Sequence, residues 1–553
     1  MELPHRAVAR LVALAVAVAL AACAALAPAA NAADLDRPSS LTQPPRFFDH
    51  SAREIERIAA RAEKVKEAVK DGPLQPSAYT KGLGRWQVSW FRDGQEIVQV
   101  QVDDRSGAIL EQWSGDQVAW SMARGYPGAF GRKLNAPYVW IPLCVLFLLP
   151  FLDVRRPFRL LHLDLLVLLA FGASHFFFNR AEIGVSAPLV YPVLLYLLAR
   201  VLFAAFRPRR PSGPLVPHVP LTLLVVLLVF LTAFRIGLNV ADSNVIDVGY
   251  AGVIGADRIA DGHQLYGDGF SADVERGDTY GPVNYLLYVP FEQALPWGGR
   301  WDDLPAAHGA AITFDLLALG GLLLLGRRMR PGRDGTVLGV ALGYAWVAYP
   351  YTTFVLESNS NDTLVAVACL GALLAATMAR DRASAAVAGT ALALGAAAKF
   401  VTAALAPLFA RRSPVVLFGT LLLVVALAVV PFIPDGGLRE LYDRTVGYQA
   451  SRPSPFSIWG QVESLGWLQD VVKGAAAGLA VLAAFRPSAP DLRQIAAMGA
   501  AILIAVELTA THWFYLYIVW FVPFILVALM AAHVGPPDET GEEREAEREA
   551  VFA

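Results

Sequence analysis

The chain has 553 residues, of which 56% are hydrophobic and 17% are charged, and its formal net charge is −2 at pH 7. This composition excludes a soluble globular enzyme built on one large core and indicates a polytopic membrane protein with a soluble appendage. Three cysteines (Cys23, Cys144 and Cys369) are too few for a disulfide framework, and no cysteines and histidines cluster as metal ligands.

Residues 1–33 predict a signal sequence or membrane anchor, because a short basic region precedes a long apolar stretch. Three outcomes remain open. Ala30-Asn31-Ala32 fits a small-residue cleavage site, Leu20-Ala21-Ala22-Cys23 fits a bacterial lipobox, and the segment can stay uncleaved as an anchor. In each case we expect the segment that follows to be exported.

Residues 34–136 are polar and predict a small extracytoplasmic α+β domain. Ser51–Val69 has apolar residues at helical spacing, and Arg85–Trp113 alternates as strands do, with turn signals at Arg92-Asp93-Gly94 and Arg105-Ser106-Gly107. The helix followed by the segment Val102–Leu110 resembles a PepSY domain. A spacer or docking role and an inhibitory or sensing role both remain open for it.

The rest of the chain predicts a mainly α fold, a polytopic transmembrane helical bundle. Its apolar runs are 137–152, 159–177, 187–206, 218–237, 304–326, 335–354, 363–379, 384–397, 400–410, 414–433, 466–485, 494–511 and 515–533. We interpret 137–206 as an accessory three-helix membrane bundle, 207–217 as a cytoplasmic linker and 218–533 as the active membrane module. The pair 384–397 and 400–410 is interpreted as a half-helix or hairpin arrangement, and 534–553 as a disordered acidic tail.

The distribution of arginine predicts the orientation. Clusters occur at 155–159, 207–210, 327–333, 380–382, 411–412 and 486–493. If the domain that follows the signal sequence is outside, every cluster falls on the cytoplasmic side, as the positive-inside rule requires. The predicted location is therefore a bacterial plasma membrane, with the acidic tail inside and most of the remaining polar segments on the exported face.

The most informative of these exported segments is Asn239–Phe291, which separates two long apolar runs. It holds seven aspartates: Asp242, Asp247, Asp257, Asp261, Asp268, Asp273 and Asp278. A loop of this length in a compact protein is usually functional. A carboxylate at a membrane surface can act as a general base towards a hydroxyl, and partial burial raises its proton affinity towards the useful range. Asp247 is the first candidate.

Cationic side chains that can hold a phosphate lie on the same predicted face: Arg258, His263, Lys399, Arg444, Arg452 and His512. Lys399 is the most informative, because a charge between two apolar stretches is costly and is a functional candidate by default. The chain has no nucleotide-binding Walker motif. Because an exported enzyme has no nucleotide supply, an activated substrate has to arrive on a lipid.

Five segments in order carry a family resemblance. They are Asp247-Val248-Gly249-Tyr250 with Ala260–Tyr266, Tyr280-Gly281-Pro282-Val283-Asn284-Tyr285, Asn359-Ser360-Asn361-Asp362, Gly395–Lys399 with Leu405-Ala406-Pro407, and Thr511-His512-Trp513-Phe514-Tyr515. From about residue 218 to 533 the chain resembles the integral-membrane glycosyltransferases of the GT-C superfamily, and within it glycosyltransferase family 87. Gly281 departs from the pattern, in which a proline is commoner, and this puts the local helix start in doubt.

The resemblance implies an inverting transferase that moves a sugar, mannose or another hexose, from a polyprenyl-phosphate donor to a glycan or glycolipid acceptor. It assigns the acceptor-activating carboxylate to Asp247, with Asp242 as the competitor. The substrate-binding candidates are Arg258, His263, Tyr280, Asn284, Asn361, Asp362, Lys399, Arg444, Arg452 and His512. Some enzymes of the superfamily use a divalent metal and some do not, and the carboxylates of the loop permit one without requiring it. We expect no nucleic-acid partner.

Structural interpretations stand beside these roles. Asp247 and Asp362 fit helix N-caps, Arg258, Asp261 and His263 fit a solvated helix face, Tyr280 and Asn284 fit an interfacial belt, Lys399 fits a snorkelling lysine and His512 fits packing beside Trp513. Two other functions also remain. A flippase for a lipid-linked substrate would carry charge or broken helices at mid-membrane, and a membrane sensor would use the PepSY-like domain as its reader.

Overall fold

The computed structural model describes residues 35–81, 84–126, 129–207, 214–267, 269–270, 276–298, 304–378, 381–411 and 413–533. The predicted signal sequence, most of the predicted linker and the predicted acidic tail lie outside the described residues. The strands are β1 Leu35–Asp36, β2 Gln75–Lys81, β3 Arg85–Arg92, β4 Gln95–Asp103 and β5 Ile109–Ser114.

The α-helices of the N-terminal half are α1 Ala52–Ala59, α2 Glu63–Val69, α3 Asp116–Ala119, α4 Pro137–Leu148, α5 Leu160–Phe178, α6 Ile183–Phe206, α7 Leu221–Asp242, α8 Asp247–Ala260, α9 Pro282–Leu286 and α10 Val289–Ala294. Those that follow are α11 Pro305–Met329, α12 Gly332–Ala348, α13 Pro350–Glu357, α14 Thr363–Ala376, α15 Arg382–Ala396, α16 Ala406–Phe409, α17 Pro414–Val429, α18 Gly437–Tyr442, α19 Tyr448–Ser451, α20 Ile458–Gln461, α21 Gly466–Leu482, α22 Leu492–Glu507 and α23 Ile518–Met530.

The N-terminal strands form one antiparallel sheet in the order β1-β2-β3-β4-β5. Alternation along β3 and β4 turns Trp86, Val88, Val100 and Val102 to the same face, where they share a core with α1 and α2. Asp104 is buried and accepts hydrogen bonds from the indole of Trp86 and from backbone N–H groups, which fixes the end of β4. The α+β fold and both predicted hairpin turns are present.

The predicted single helix Ser51–Val69 is two helices, which corrects that expectation. The chain leaves the helical conformation at Ala62, which has a ψ of 140°. Ile55, Ala59, Ala62 and Val65 are all buried against the sheet. The break lets the chain bend so that both short helices cover the same sheet face.

Every predicted apolar run is helical over most of its described length. Among the described helices, six are long and apolar enough to cross a membrane: Leu160–Phe178, Ile183–Phe206, Leu221–Asp242, Pro305–Met329, Pro414–Phe432 and Glu463–Leu482. The remaining apolar helices are shorter. The run 335–354 is broken at Tyr349, where Pro350 starts a new helix. After α15, residues 400–405 form a 3-10 segment that leads into the short helix α16.

Arginines of four predicted cytoplasmic clusters meet at one end of the bundle. Arg159 and Arg330 both contact His533, and Arg493 donates to the carbonyl of Arg207 at 2.8 Å. Because α5 begins where its antiparallel neighbour α6 ends, these groups lie at the same end. At the opposite end, α7 finishes at Asp242, which pairs with Lys133 close to the N-terminal sheet domain. The bundle is therefore two-sided, with the arginine anchors at one end.

The predicted accessory bundle does not stand apart from the rest of the membrane module. The hydroxyl of Tyr515 lies 2.7 Å from Ser174 of α5 and 2.9 Å from Ser186 of α6. Phe171 of α5 stacks on Trp513. Helices α4 to α6 and the last helices of the chain consequently share one hydrophobic core.

A buried ion pair joins α7 to α11. Arg235 is 1% exposed, and its guanidinium lies 2.9 Å from Asp315 and 2.7 Å from the carbonyl of Thr352. The indole of Trp346 donates to the same carboxylate at 2.8 Å. These contacts tie α7, α11, α12 and α13 together, and α7 leads directly into the loop before Asp247.

Replacing Arg235 with methionine is expected to destabilise the protein by about 3–5 kcal/mol, because it leaves the carboxylate of Asp315 buried and unpaired. The double variant Arg235→Met/Asp315→Asn removes both charges and is expected to recover much of that loss. Thermal unfolding in detergent measures both. Lys473→Met, which breaks an exposed pair with Asp470, is the control and is expected to leave the midpoint unchanged. Equal midpoints for the Arg235 and Lys473 variants would contradict the assignment.

Candidate active site in a cavity at one end of the bundle

The loop that carries Asp247 is clamped along one side by the chain after α13. The backbone N–H groups of Asn244 and Ile246 donate to the carbonyls of Glu357 and Ser358 at 3.2 and 3.3 Å. The side-chain amide of Asn359 donates to the carbonyl of Asn244 at 3.0 Å. This pairing fixes the point at which α8 begins and hence the direction of its first side chain.

A cavity of about 200 Å³ opens beside the first residue of α8. Its wall comes from segments far apart in the chain: Met122, Phe130, Ile246, Asp247, Val248, Thr279, Tyr280, Asp362, Ala398, Lys399, Phe400, Val401, Gln449, Arg452, His512, Phe514, Leu516, Tyr517 and Trp520. Six of the predicted site residues are among them. Most of the other wall residues are apolar, so a few polar groups face a largely apolar surface, as in ligand-binding cavities generally.

Asp247 lines this cavity. It is the first residue of α8 and the N-cap position belongs to Ile246, so the structure places Asp247 inside the first turn of the helix and not at the cap position. The side chain of Asp247 is exposed to the cavity, but the protein that surrounds it displaces water and so raises its pKa, and the negative charge of Asp362 raises it further. Arg452, the N–H of Val248 and Lys399 oppose that rise without cancelling it. The carboxyl is thus a stronger base than an ordinary aspartate.

Lys399 is held by an acid and an aromatic cage. Its ammonium lies 2.5 Å from the carboxylate of Asp362 and between 5.4 and 5.9 Å from the ring centres of Tyr280, Tyr517 and Trp520. The indole of Trp520 also donates to Asp362 at 2.8 Å. Lys399 therefore lies at a fixed point of the wall as part of an ion pair rather than as a snorkelling side chain.

Asp362 stands at the N-cap position of α14, but no capping bond from its side chain is present. Its carboxylate is occupied by Lys399, Trp520 and the hydroxyl of Ser360. It is 1% exposed. We assign it the role of holding Lys399 in the wall.

Arg452 is the cation of the cavity with free donors. Within the described part of the chain, its guanidinium makes no hydrogen bond or ion pair. It lies just after α19, where the backbone becomes extended. A guanidinium with free donors in a cavity is suited to bidentate contact with a phosphate.

His512 lines the cavity close to Arg452. Its Nδ1 lies 2.9 Å from the hydroxyl of Ser454, and its ring packs on Phe456. Burial and the positive charge of Arg452 lower the pKa of His512 to about 3. At neutral pH the ring is therefore uncharged, and it offers hydrogen bonding rather than positive charge.

Gly281 places Tyr280 in the wall. Its N–H donates to the carbonyl of Ala398 at 3.2 Å, and a Cβ at this position would collide with the backbone carbonyl of Ala397. A proline, the commoner residue in the family pattern, would have neither the donor nor the space. The departure from the pattern therefore allows close contact between this loop and the residues before Lys399.

Asn284 and Asn361 lie behind the cavity wall. The amide of Asn361 donates to the side-chain oxygen of Asn284 at 2.7 Å, and both residues are fully buried. This bond ties α9 to the turn before α14. The structure places both residues in support of the wall rather than in its lining.

The remaining predicted residues lie elsewhere on the same end of the bundle. Asp242 pairs with Lys133 at 3.5 Å. Arg258 donates to the carbonyls of Gln264 and Gly269 and so fastens its own loop. His263 is exposed. Arg444 is paired with Asp278 and Glu440. The cavity does not include these four predicted residues, so Asp242 does not compete with Asp247 for it.

Sequence reasoning missed a large part of the wall. Gln449, Tyr517 and Trp520 lie three, five and eight positions from predicted site residues, so their proximity in sequence is a usable signal. Met122 and Phe130 give no such signal, because they precede the first membrane helix and meet the cavity only through the fold.

A metal site is not evident from the side chains. Among the described residues, no group of three or more His, Cys, Asp or Glu is placed to hold an ion. In comparisons with known proteins, the chain matches no protein-family model and no curated protein.

Proposed function

We propose that this protein is a membrane glycosyltransferase that transfers a hexose, mannose first among the candidates, from a polyprenyl-phosphate donor to a hydroxyl of an extracytoplasmic glycan or glycolipid. The observation that carries the proposal is one cavity that joins a carboxylate of raised pKa to an arginine with free donors. Asp247 and Arg452 are distant in sequence, so only the fold brings them together. The bacterial plasma membrane and an outward-facing cavity are part of the proposal.

In the proposed reaction the acceptor hydroxyl attacks the anomeric carbon from the face opposite the phosphate. The bond between that carbon and the phosphate oxygen breaks, and the polyprenyl phosphate leaves with the electron pair. The carboxylate of Asp247 takes the proton of the hydroxyl. Arg452 stabilises the charge that develops on the departing phosphate, with Lys399 as a second cation in the same wall. The configuration at the anomeric carbon is inverted.

The apolar wall suits a lipid-linked donor. Phe400, Val401, Leu516 and Trp520 continue the cavity beside the charged groups. A prenyl chain is apolar and its phosphate is anionic, so such a donor needs both kinds of surface next to each other. This juxtaposition favours a lipid phosphate over a soluble sugar nucleotide, which has no prenyl chain to bury.

The flippase alternative is less well supported by the membrane-embedded charges. In the pairs Arg235–Asp315 and Arg200–Asp164 each acid contacts an arginine within the helix bundle, and all four side chains are no more than 18% exposed. They line no part of the cavity that contains Asp247. They join helices to each other instead of marking a path for a substrate.

The proposal is tested with purified protein in lipid nanodiscs. Polyprenyl phosphates that carry labelled mannose, glucose or galactose are incubated with glycan and glycolipid fractions of a bacterial envelope. We expect the label of one donor to appear in a new glycosidic bond with inverted configuration. In sealed vesicles, movement of labelled lipid across the bilayer with no transfer would favour a flippase, and an unchanged donor in every combination would overturn the proposal.

The pH dependence of transfer follows from the charges around Asp247. Because its pKa is raised, the carboxylate is protonated, and transfer falls, at a higher pH than an ordinary aspartate predicts. Arg452→Gln removes a charge that lowers this pKa, so the acidic limb of the rate profile is expected to move to higher pH. Asp362→Asn removes a charge that raises it, and the limb is expected to move to lower pH. Profiles of the residual rates measure both shifts, and shifts in the same direction would contradict Asp247 as the titrating base.

A further inference from the structure

The segment between the sheet domain and the first membrane helix contributes to the cavity wall. We call residues 120–126 and 129–135 the strap. Met122 and Phe130 of the strap line the cavity, together with Asp247 and Val248. Two large apolar side chains of this segment therefore form part of the cavity wall.

The strap is fastened to the loop that carries the candidate base. The N–H of Gly131 donates to the side chain of Asn244 at 3.1 Å, and the N–H of Lys133 donates to the carboxylate of Asp242 at 3.2 Å. Gly131 has a φ of 78°, and a Cβ there would lie 3.0 Å from the ring of Phe354. These contacts fix the position of Phe130 over the turn before α8.

Aromatic contacts fasten the strap to the opposite side of the cavity. Phe130 packs edge-on against Phe514 with ring centres 6.2 Å apart, and Trp120 packs against Phe456 at 4.9 Å. Phe456 in turn contacts His512. The strap therefore bridges the Asp247 side and the His512 side at the end of the bundle where the sheet domain lies.

Because the cavity is small, the side chains of Met122 and Phe130 strongly affect what can enter it. About 200 Å³ is less than the roughly 300–1,000 Å³ of ordinary ligand pockets. A transferase has to admit an acceptor beside its donor. The donor phosphate is assigned to Arg452 and the prenyl chain to the apolar wall around Trp520, which leaves the side covered by the strap for the acceptor.

We propose that Met122 and Phe130 are specificity-determining residues that limit the size of the acceptor group able to reach Asp247. The identification of the entering group as an acceptor rests on the proposed function. The limit that these two side chains set on the size of any group entering the cavity does not. The acceptor class that fits is a single sugar hydroxyl at the end of a chain, which enters beneath these two side chains. A branched or internal position is excluded.

The test measures entry directly and does not depend on turnover. Val248→Cys is placed in a protein whose Cys23, Cys144 and Cys369 are replaced by serine or alanine. The nanodisc-embedded protein is treated with methyl methanethiosulfonate and with a trisaccharide-bearing methanethiosulfonate. We expect the small reagent to react readily and the large reagent to react slowly. Met122→Ala/Phe130→Ala is expected to accelerate the large reagent on the order of tenfold or more, with little change for the small one.

Two further variants guard against misfolding. Tyr126→Ala lies in the strap but contacts Tyr138 outside the cavity, so it is the matched control and is expected to leave both rates unchanged. Phe130→Trp places a bulkier side chain in the same wall, which narrows the opening, and is expected to slow the reaction of the large reagent further. If the Met122→Ala/Phe130→Ala variant has an unchanged thermal unfolding midpoint and the large reagent still reacts at its original rate, the inference is overturned while the proposed function stands. If entry changes as expected but no donor is ever consumed, the proposed function fails and the size limit remains.

Discussion

Replacing Asp247 with asparagine is expected to reduce the turnover of sugar transfer by about 10²–10⁴-fold, the usual contribution of a positioned general base. The substitution keeps the volume of the side chain and the start of α8, but an amide cannot take the proton of the acceptor hydroxyl. Donor binding is expected to persist, because the phosphate is assigned to other residues. Turnover at saturating donor, measured with the labelled lipid, separates the two effects.

Asp257→Asn is the matched control for this variant. Asp257 lies on the same helix but does not line the cavity, so its replacement is expected to leave turnover unchanged. Both proteins are first compared by thermal unfolding. If Asp247→Asn retains more than a tenth of the turnover of the unaltered protein, the carboxylate is not the base and the mechanism has to be assigned to another group.

Replacing Arg452 with glutamine is expected to weaken the binding of a polyprenyl phosphate that carries no sugar by roughly 10- to 100-fold, the range that a charged hydrogen-bonded contact supplies. Within the described residues, no acid forms an ion pair with this guanidinium, so its hydrogen-bond donors are available to the ligand. Arg452→Lys keeps the charge but loses the planar pair of donors, and an intermediate affinity is expected. Quenching of tryptophan fluorescence, to which Trp520 in the wall contributes, measures binding.

Arg444→Gln provides the comparison. Arg444 is engaged by Asp278 at 2.8 Å and by Glu440 at 2.7 Å, and it lies outside the cavity. Its replacement is expected to change the affinity for the lipid phosphate much less than the replacement of Arg452. A weaker affinity for Arg444→Gln than for Arg452→Gln would contradict the assignment of the phosphate to the cavity.

Much of the fold could be predicted from the sequence. The apolar runs are helices, and the turns at Asp93 and Ser106 are where the alternation of the strands places them. The positive-inside distribution of arginine also predicts that Asp247, Lys399 and His512 lie on one face of the membrane. The structure brings all three to one cavity. These predictions succeed because helix length, strand alternation and the membrane face at which each helix ends follow from local properties of the chain.

The roles within the site could not be predicted in the same way. Asp242 and Asp247 are five residues apart and chemically identical, and only the clamp by residues 357–359 decides which one faces the cavity. Lys399 has no acid among its near neighbours in the sequence, yet Asp362 meets it across 37 positions. Met122 and Phe130 reach the site through contacts more than a hundred positions away. Such pairings depend on tertiary packing, which no local pattern encodes.

The central claim is that the carboxylate of Asp247 meets a lipid-linked sugar at the outer surface of the membrane. The most direct measurement places cysteine at position 248 of the otherwise cysteine-free protein and labels intact spheroplasts with a small, membrane-impermeant thiol reagent. We predict labelling from outside, and protection when polyprenyl phosphate is added first. Labelling that occurs only after the membrane is opened, at a rate equal to that of a cysteine placed at position 155 among the predicted cytoplasmic arginines, would contradict the claim.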